Sequence, residues 1–243
     1  MKKNFYKLAF TLAETLIVMG IIGVVAALTL PNLNSSTGNK EKIAKVKKIY
    51  QNLNDAFGRA QAVYGPYNEW FVNDATVEAK TKRAGERITE FMKTSKVCGT
   101  EKNKGCMPKA VKGLDGKGLT GGNDYTNLDN DSIYYKVILA DGTAIAIYGD
   151  ITLFPVITVD IDGPNKGPST LGIDVFEFDI DAENNVLYTH CNEDRLIENL
   201  QKGYCTSYWI MRYDNMDYLK VDSNGKCPDG KTILDGVSNT TCK

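Results

Sequence analysis

From Phe10 to Leu30 the chain reads FTLAETLIVMGIIGVVAALTL, 21 residues with a single charge, Glu14. That length is what a helix needs to cross the ~30 Å hydrocarbon core of a bilayer, so the pattern predicts a transmembrane half-helix. A carboxylate at such depth costs roughly 2.5 kcal/mol or more, and Glu14 therefore calls for a functional reason. Pro31 follows, where a helix kinks or ends, and Ser35, Ser36 and Thr37 offer caps for a restart, with Gly38 a soft point. Beyond it apolar residues recur at Ile43, Val46, Tyr50, Leu53, Phe57, Ala60 and Tyr64. Spacings that alternate between three and four define an amphipathic helix with one face to bury. A coiled-coil strand shares the pattern, but so short a run on one seam suits a helix laid on a sheet equally well. The lysines at 40, 42, 45, 47 and 48 lie largely on the other face, facing solvent or, alternatively, lipid headgroups. Joined through Pro31, the two halves would make an element roughly 80 Å long at ~1.5 Å per residue.

After Tyr64 the periodicity weakens. Thr76–Lys96 reads as a helix with scattered apolar positions, and 97–131, rich in Gly, Lys, Asn and Asp, as irregular. Strand patterns then follow at Ser132–Ala140 and Thr143–Tyr148 around Asp141-Gly142, a strong hairpin signal. Pro155–Asp160, Val175–Ile180 and Val186–His190 continue the series; Ser207–Met211 and Tyr218–Val221 read as strands or a short helix. The expected class is α+β, a long N-terminal helix packed on a small antiparallel sheet of four or five strands. The divisions are 1–9, 10–34, 35–64, 65–131, 132–222 and a polar tail, 223–243.

Composition adds two constraints. The formal net charge is −1 over 243 residues, which gives no reason to expect a nucleic-acid partner. Six cysteines, Cys98, Cys106, Cys191, Cys205, Cys227 and Cys242, all follow the apolar run, with no C-x-x-C and one histidine. Disulfides fit better than zinc and imply an oxidising compartment; free thiols in a reducing cytosol are the other reading. Of the 15 full pairings six cysteines allow, sequence proximity suggests Cys98–Cys106, Cys191–Cys205 and Cys227–Cys242.

The N-terminus carries a more specific signal. Nine residues, MKKNFYKLA, hold Lys2, Lys3 and Lys7 and no acid, and then come Phe10-Thr11-Leu12-x-Glu14, the apolar run and Pro31. This order resembles the cleavage and methylation segment of type IV prepilins and type II secretion pseudopilins, with Ala9 where the family usually has Gly. The resemblance implies a pilin-like fold and cleavage after Ala9 by a prepilin peptidase that also methylates the Phe10 amine. It implies polymerisation with copies of itself or with other pilins, and a single-pass inner-membrane precursor with its C-terminal domain outside. Lysines flank both ends of the apolar run, so the positive-inside rule alone does not orient it; the cysteines and the motif do. After cleavage, Glu14 lies one turn from the cationic Phe10 amine on the same face. A Glu14 carboxylate paired with the Phe10 amine of a neighbour would fix the axial offset between subunits, because either charge alone in a dry core costs several kcal/mol. An ordinary signal peptide, cut near Val25-Ala26-Ala27, is the competing reading, against which stand the length of the run and its acid. A plain anchor explains the length but not Glu14. A membrane-anchored or secreted binding module that never polymerises is the alternative function.

Little else suggests chemistry. Asp160, Asp162, Asn165 and Asp174 could begin a Ca²⁺ loop, although Pro164 and Leu171 exclude an EF-hand. Some pseudopilins hold calcium in their sheet domain, which favours the idea, while a Gly/Pro/Asn turn with solvated acids is the plainer reading. Apart from Ca²⁺ no cofactor is expected. His190-Cys191 resembles a nucleophile pair, but strand neighbours point to opposite faces and a disulfide would consume the thiol. No nucleophile elbow, phosphate loop or zinc-protease helix is present, so no catalytic residue is assigned and the chain is read as not an enzyme. Tyr134, Tyr135, Tyr208, Trp209 and Tyr213 are read as core or edge aromatics before ligand-stacking ones.

Overall fold

The apolar stripe from Ile43 to Ala60 forms one side of a core, and the strands with the longest apolar runs form the other. A computed structural model of the chain describes residues 12–118, 125–152, 154–189, 191, 196–233 and 240–242; within it, the side chains of 26–37 and 125–127 are outside the description. The chain divides into two units, 1–41 and 42–243.

The first helix, α1, is assigned over Leu12–Tyr64, so it runs through Pro31 instead of ending there or restarting at Ser35. Proline in a helix interior removes one donor and crowds the preceding turn, at about 3 kcal/mol, which does not outweigh the strong helix pattern on either side. Among the described residues no helix is long and apolar enough to cross a membrane. This overturns the expected transmembrane half of the long N-terminal helix and the single-pass inner-membrane placement derived from it. The apolar stretch whose side chains are described, Leu12–Val25, covers about 21 Å at ~1.5 Å per residue, short of the ~30 Å core.

The second unit is α+β, and its sheet is larger than the small one expected. Helix α2 (Val77–Thr89) precedes β1 (Thr94–Gly99), β2 (Val111–Lys112), β3 (Tyr135–Leu139), β4 (Ala144–Tyr148) and β5 (Val156–Asp160). Then come β6 (Ser169–Thr170), β7 (Val175–Asp181), β8 (Val186–Tyr188), α3 (Leu196–Lys202) and α4 (Thr206–Tyr213). Six strands pair antiparallel in the order β1-β3-β4-β5-β7-β8, and β2 pairs with β6 in a separate parallel ribbon. Asp141-Gly142 turns β3 into β4. The strand that sequence reasoning missed is β1. Its register with β3 slips twice, between Thr94 and Lys96 and between Val97 and Gly99, so its apolar residues do not alternate. The pairing ends the predicted helix early, α2 stopping at Thr89.

Both faces of the sheet are covered. On one face, Val46, Leu53 and Phe57 of α1 share a core with Val137, Ile145, Ile157, Phe176 and Phe178, to which Trp70 and Trp209 also belong. On the other, Ala144, Ala146, Tyr148, Val156 and Val175 lie under Met107, Leu128, Tyr134 and Leu171. Double cover is why β4 and β5 are buried at every position and read as continuous apolar runs. The segment Ser207–Met211 is helical, within α4, because Thr206, Trp209 and Ile210 share its buried side; four consecutive apolar or aromatic residues do not distinguish the two periods. The 218–221 run falls in a 3-10 turn, Asp217–Lys220.

Disulfides join Cys98 to Cys106, Cys191 to Cys205 and Cys227 to Cys242, with Cα separations of 6.3, 5.0 and 5.3 Å. They are the pairs suggested by sequence proximity.

Candidate functional site

In the first unit the notable surface is α1 from Leu12 to Val25. Leu12, Leu16, Ile17, Val18, Met19, Ile21, Ile22, Val24 and Val25 are each at least 54% exposed, and Leu12 reaches 81%. At 100° per residue these positions point to all sides of the helix, so no single stripe faces a core. A helix apolar all round is ordinarily a buried one. Glu14 lies within this surface and takes part in a polar interaction. Ala9 and Phe10, the residues of the expected cleavage, and the side chain of Pro31 lie outside the described residues.

In the second unit the candidate calcium ligands serve other partners. Asp160 is fully buried at the end of β5. Its Oδ1 accepts the N–H groups of Gly163 at 3.0 Å and Asp162 at 3.3 Å, and its Oδ2 accepts from Ser169 Oγ at 3.2 Å. Burial and the neighbouring Asp162 carboxylate push Asp160 up to about 7, against the pull of those backbone donors. Asp174 Oδ1 accepts from Lys42 Nζ at 2.8 Å, and Asn165 is exposed. Asp162 Oδ1 is buried and has no hydrogen-bond partner among the described residues. Asp160 and Asp174 do reach the same end of the sheet, where Ile161 N donates to Asp174 O at 2.9 Å. A lysine neutralises one and fixed donors occupy the other, and among the described residues no group of three or more His, Cys, Asp or Glu side chains is placed to hold a metal. The arrangement caps a turn, and Gly163 at φ 92° is required there because a Cβ would meet Gly142 O at 2.6 Å.

The lysine run of α1 is not simply solvated. Lys42 reaches Asp174, Lys47 reaches Asp214 at 2.6 Å and Lys48 reaches Asp141 at 3.0 Å. The last two are exposed pairs worth ~1 kcal/mol or less; Asp174 is the most buried of the three carboxylates, its side chain 12% exposed. Together they tie the second half of α1 to three separate turns. Nothing in the sequence marks those partners, which lie 132, 167 and 93 residues away.

Two further groups escaped sequence reasoning. Asp129, 3% exposed, accepts the backbone N–H groups of Gly105, Cys106 and Met107 at 2.8, 2.9 and 3.3 Å, bracing the first disulfide loop. Glu177 faces the second side of the sheet opposite Thr158, whose hydroxyl is buried without a hydrogen bond among the described residues. Desolvation first, and then the Asp179 charge, push Glu177 up to about 8. The remaining candidates have structural places. Cys191 is consumed by a disulfide, while His190 lies outside the described residues. Trp209 is fully buried with its Nε1 donating to Asn215 Oδ1 at 2.8 Å, and Tyr134 packs against Tyr148.

No protein-family model, curated protein or solved structure matches the chain.

Proposed function

We propose that the chain is the structural subunit of a filament of the type IV pilus or type II secretion pseudopilus kind, processed after Ala9, methylated on Phe10 and polymerised through its N-terminal helix. The observation that carries this reading is the exposure of Leu12–Val25 on every side of α1. Apolar surface of that extent marks a surface made to be covered. Helices apolar all round associate without directional preference, and copies of the same helix bundled together would cover one another on all sides. Glu14 supplies the register that apolar packing lacks, through the Phe10 amine of the adjacent copy. Three disulfides suit a globular part displayed outside the cell's reducing interior. In this role the chain is the substrate of a processing peptidase and methyltransferase, and performs no catalysis itself.

The test has two parts. Intact mass and N-terminal peptide analysis of the native protein should find a chain that begins at methylated Phe10; a chain beginning at Met1, or at Leu28 by signal-peptide cleavage, would overturn the reading. Glu14→Ala should abolish filaments seen by electron microscopy while the three disulfides and the melting transition of the globular unit persist. Filaments that form unchanged in Glu14→Ala would remove the register argument.

A further inference from the structure

After α4 the chain passes through the Asp217–Lys220 turn and crosses the end of α3 near the 113–116 loop. These segments border an open cavity of about 450 Å³, within the ~300–1,000 Å³ range of small-ligand sites. Its walls are the half-buried side chains of Leu114, Ile173, Leu219 and Val221. Its floor is Tyr218, 3% exposed, whose hydroxyl is committed to Gly172 O at 2.8 Å. Gln201, also at the wall, donates its amide to Ser223 O. The walls and floor therefore offer mainly apolar contact, with the second Gln201 N–H and the Ser223 hydroxyl as the neutral polar groups of the lining.

Two exposed carboxylates, Asp115 and Asp222, complete the lining. Each is anchored through one oxygen. Asp115 Oδ1 accepts from Lys117 N at 2.9 Å, and Asp222 Oδ1 accepts from Asn224 N and Lys226 N at 2.8 and 2.9 Å. Among the described residues neither lies within salt-bridge distance of a lysine or arginine, and the one cation that acts on Asp222 from farther off is Lys226. The backbone N–H groups of Lys226 and Asn224 hold Asp222 below the usual carboxylate range, so it is anionic at neutral pH.

We propose that this cavity binds a free alkylammonium ligand, an unbranched apolar stem against Leu114, Ile173, Leu219 and Val221 with its ammonium at Asp115 and Asp222. Complementarity of charge selects the ligand: an apolar cavity alone would take an alcohol or a fatty acid, whereas a double-carboxylate rim favours a cation and repels a carboxylate. The inference is independent of the filament reading, since no residue of Leu12–Val25 takes part.

The test is a methyl-labelled titration of the full chain with n-pentylammonium, n-pentanol and pentanoate. Expected are saturable shifts of the Leu114, Ile173, Leu219 and Val221 methyls with the amine at millimolar affinity, binding about tenfold weaker with the alcohol, and none with the acid. The double variant Asp115→Asn, Asp222→Asn keeps an Oδ1 acceptor for each turn, so it should fold, yet bind the amine about tenfold more weakly. Absence of saturable shifts, an alcohol that binds as tightly as the amine, or undiminished binding in the double variant would each overturn the proposal.

Discussion

Replacing Glu177 by Gln should make the protein more stable at pH 8 and leave it nearly unchanged at pH 5. Glu177 stands on β7 directly opposite Thr158 on β5, with Asp179 two residues on along the same face of its strand. Although the residue is only half-buried by surface area, its carboxyl has protein around it on enough sides for desolvation to dominate. Its pKa rises from the ordinary 4.5 to about 8. A raised acid pKa means that the folded state holds the proton more tightly than the unfolded one. The stabilisation is therefore complete below pH 4.5 and is lost as pH rises to about 8, with little further change above. Within that window each pH unit removes about 1.4 kcal/mol. From pH 5 to pH 8 the loss is on the order of 3 kcal/mol, a large share of the ~5–15 kcal/mol that holds a domain folded. Gln copies the protonated acid in shape and cannot ionise, so the wild-type-minus-variant difference isolates this one group. Asp160, pushed up to about 7, titrates in both proteins and cancels in that difference. Urea unfolding followed by fluorescence of the buried Trp70 and Trp209, at pH 5, 6, 7 and 8, measures it. A difference that stays flat across that range would refute the reasoning.

Asp129→Ala removes the acceptor for three backbone N–H groups and should cost about 2–4 kcal/mol, with faster amide exchange at Gly105–Met107 as the local check. Gly85→Ala puts a Cβ within 2.1 Å of the Tyr135 ring and should lower stability by about 1–3 kcal/mol, against the gain alanine normally brings to a helix. Gly58→Ala, on α1 with nothing within 4 Å of the new Cβ, should show that gain, about 0.5–1 kcal/mol. Denaturation midpoints of the two variants must move in opposite directions for the packing argument to stand.

These predictions depend on contacts that differ in how far the sequence discloses them. Strands β3, β4 and β5 were legible because burial on both faces leaves runs rich in Val and Ile, β7 because Phe176, Phe178 and Ile180 alternate with acids, and Asp141-Gly142 marks the turn between β3 and β4. The buried side of α1 was legible because a helix facing one sheet keeps a period of 3.6, as Ile43, Val46, Leu53, Phe57 and Ala60 do. Strand β1 was not, since two register slips break its alternation. Helix α4 was not, since a run of eight residues is too short to separate the two periods.

The candidate site divides along the same line. Exposure of Leu12–Val25 concerns one local segment, so the sequence announces it as an apolar run whose polar residues, Glu14 and Thr15, fall only at its start. The acids are another matter. Asp160, Asp162, Asn165 and Asp174 look alike in the sequence, yet a lysine from α1, a serine from β6 and the backbone of the turn give them different partners. Whether a carboxylate gathers a metal, caps a turn or neutralises a lysine depends on which donors the fold brings within about 3 Å, and those donors come from segments up to 132 residues away. The same reasoning sets Asp115 and Asp222 apart: each spends one oxygen on its own turn, and the fold sets both in the lining of an apolar cavity.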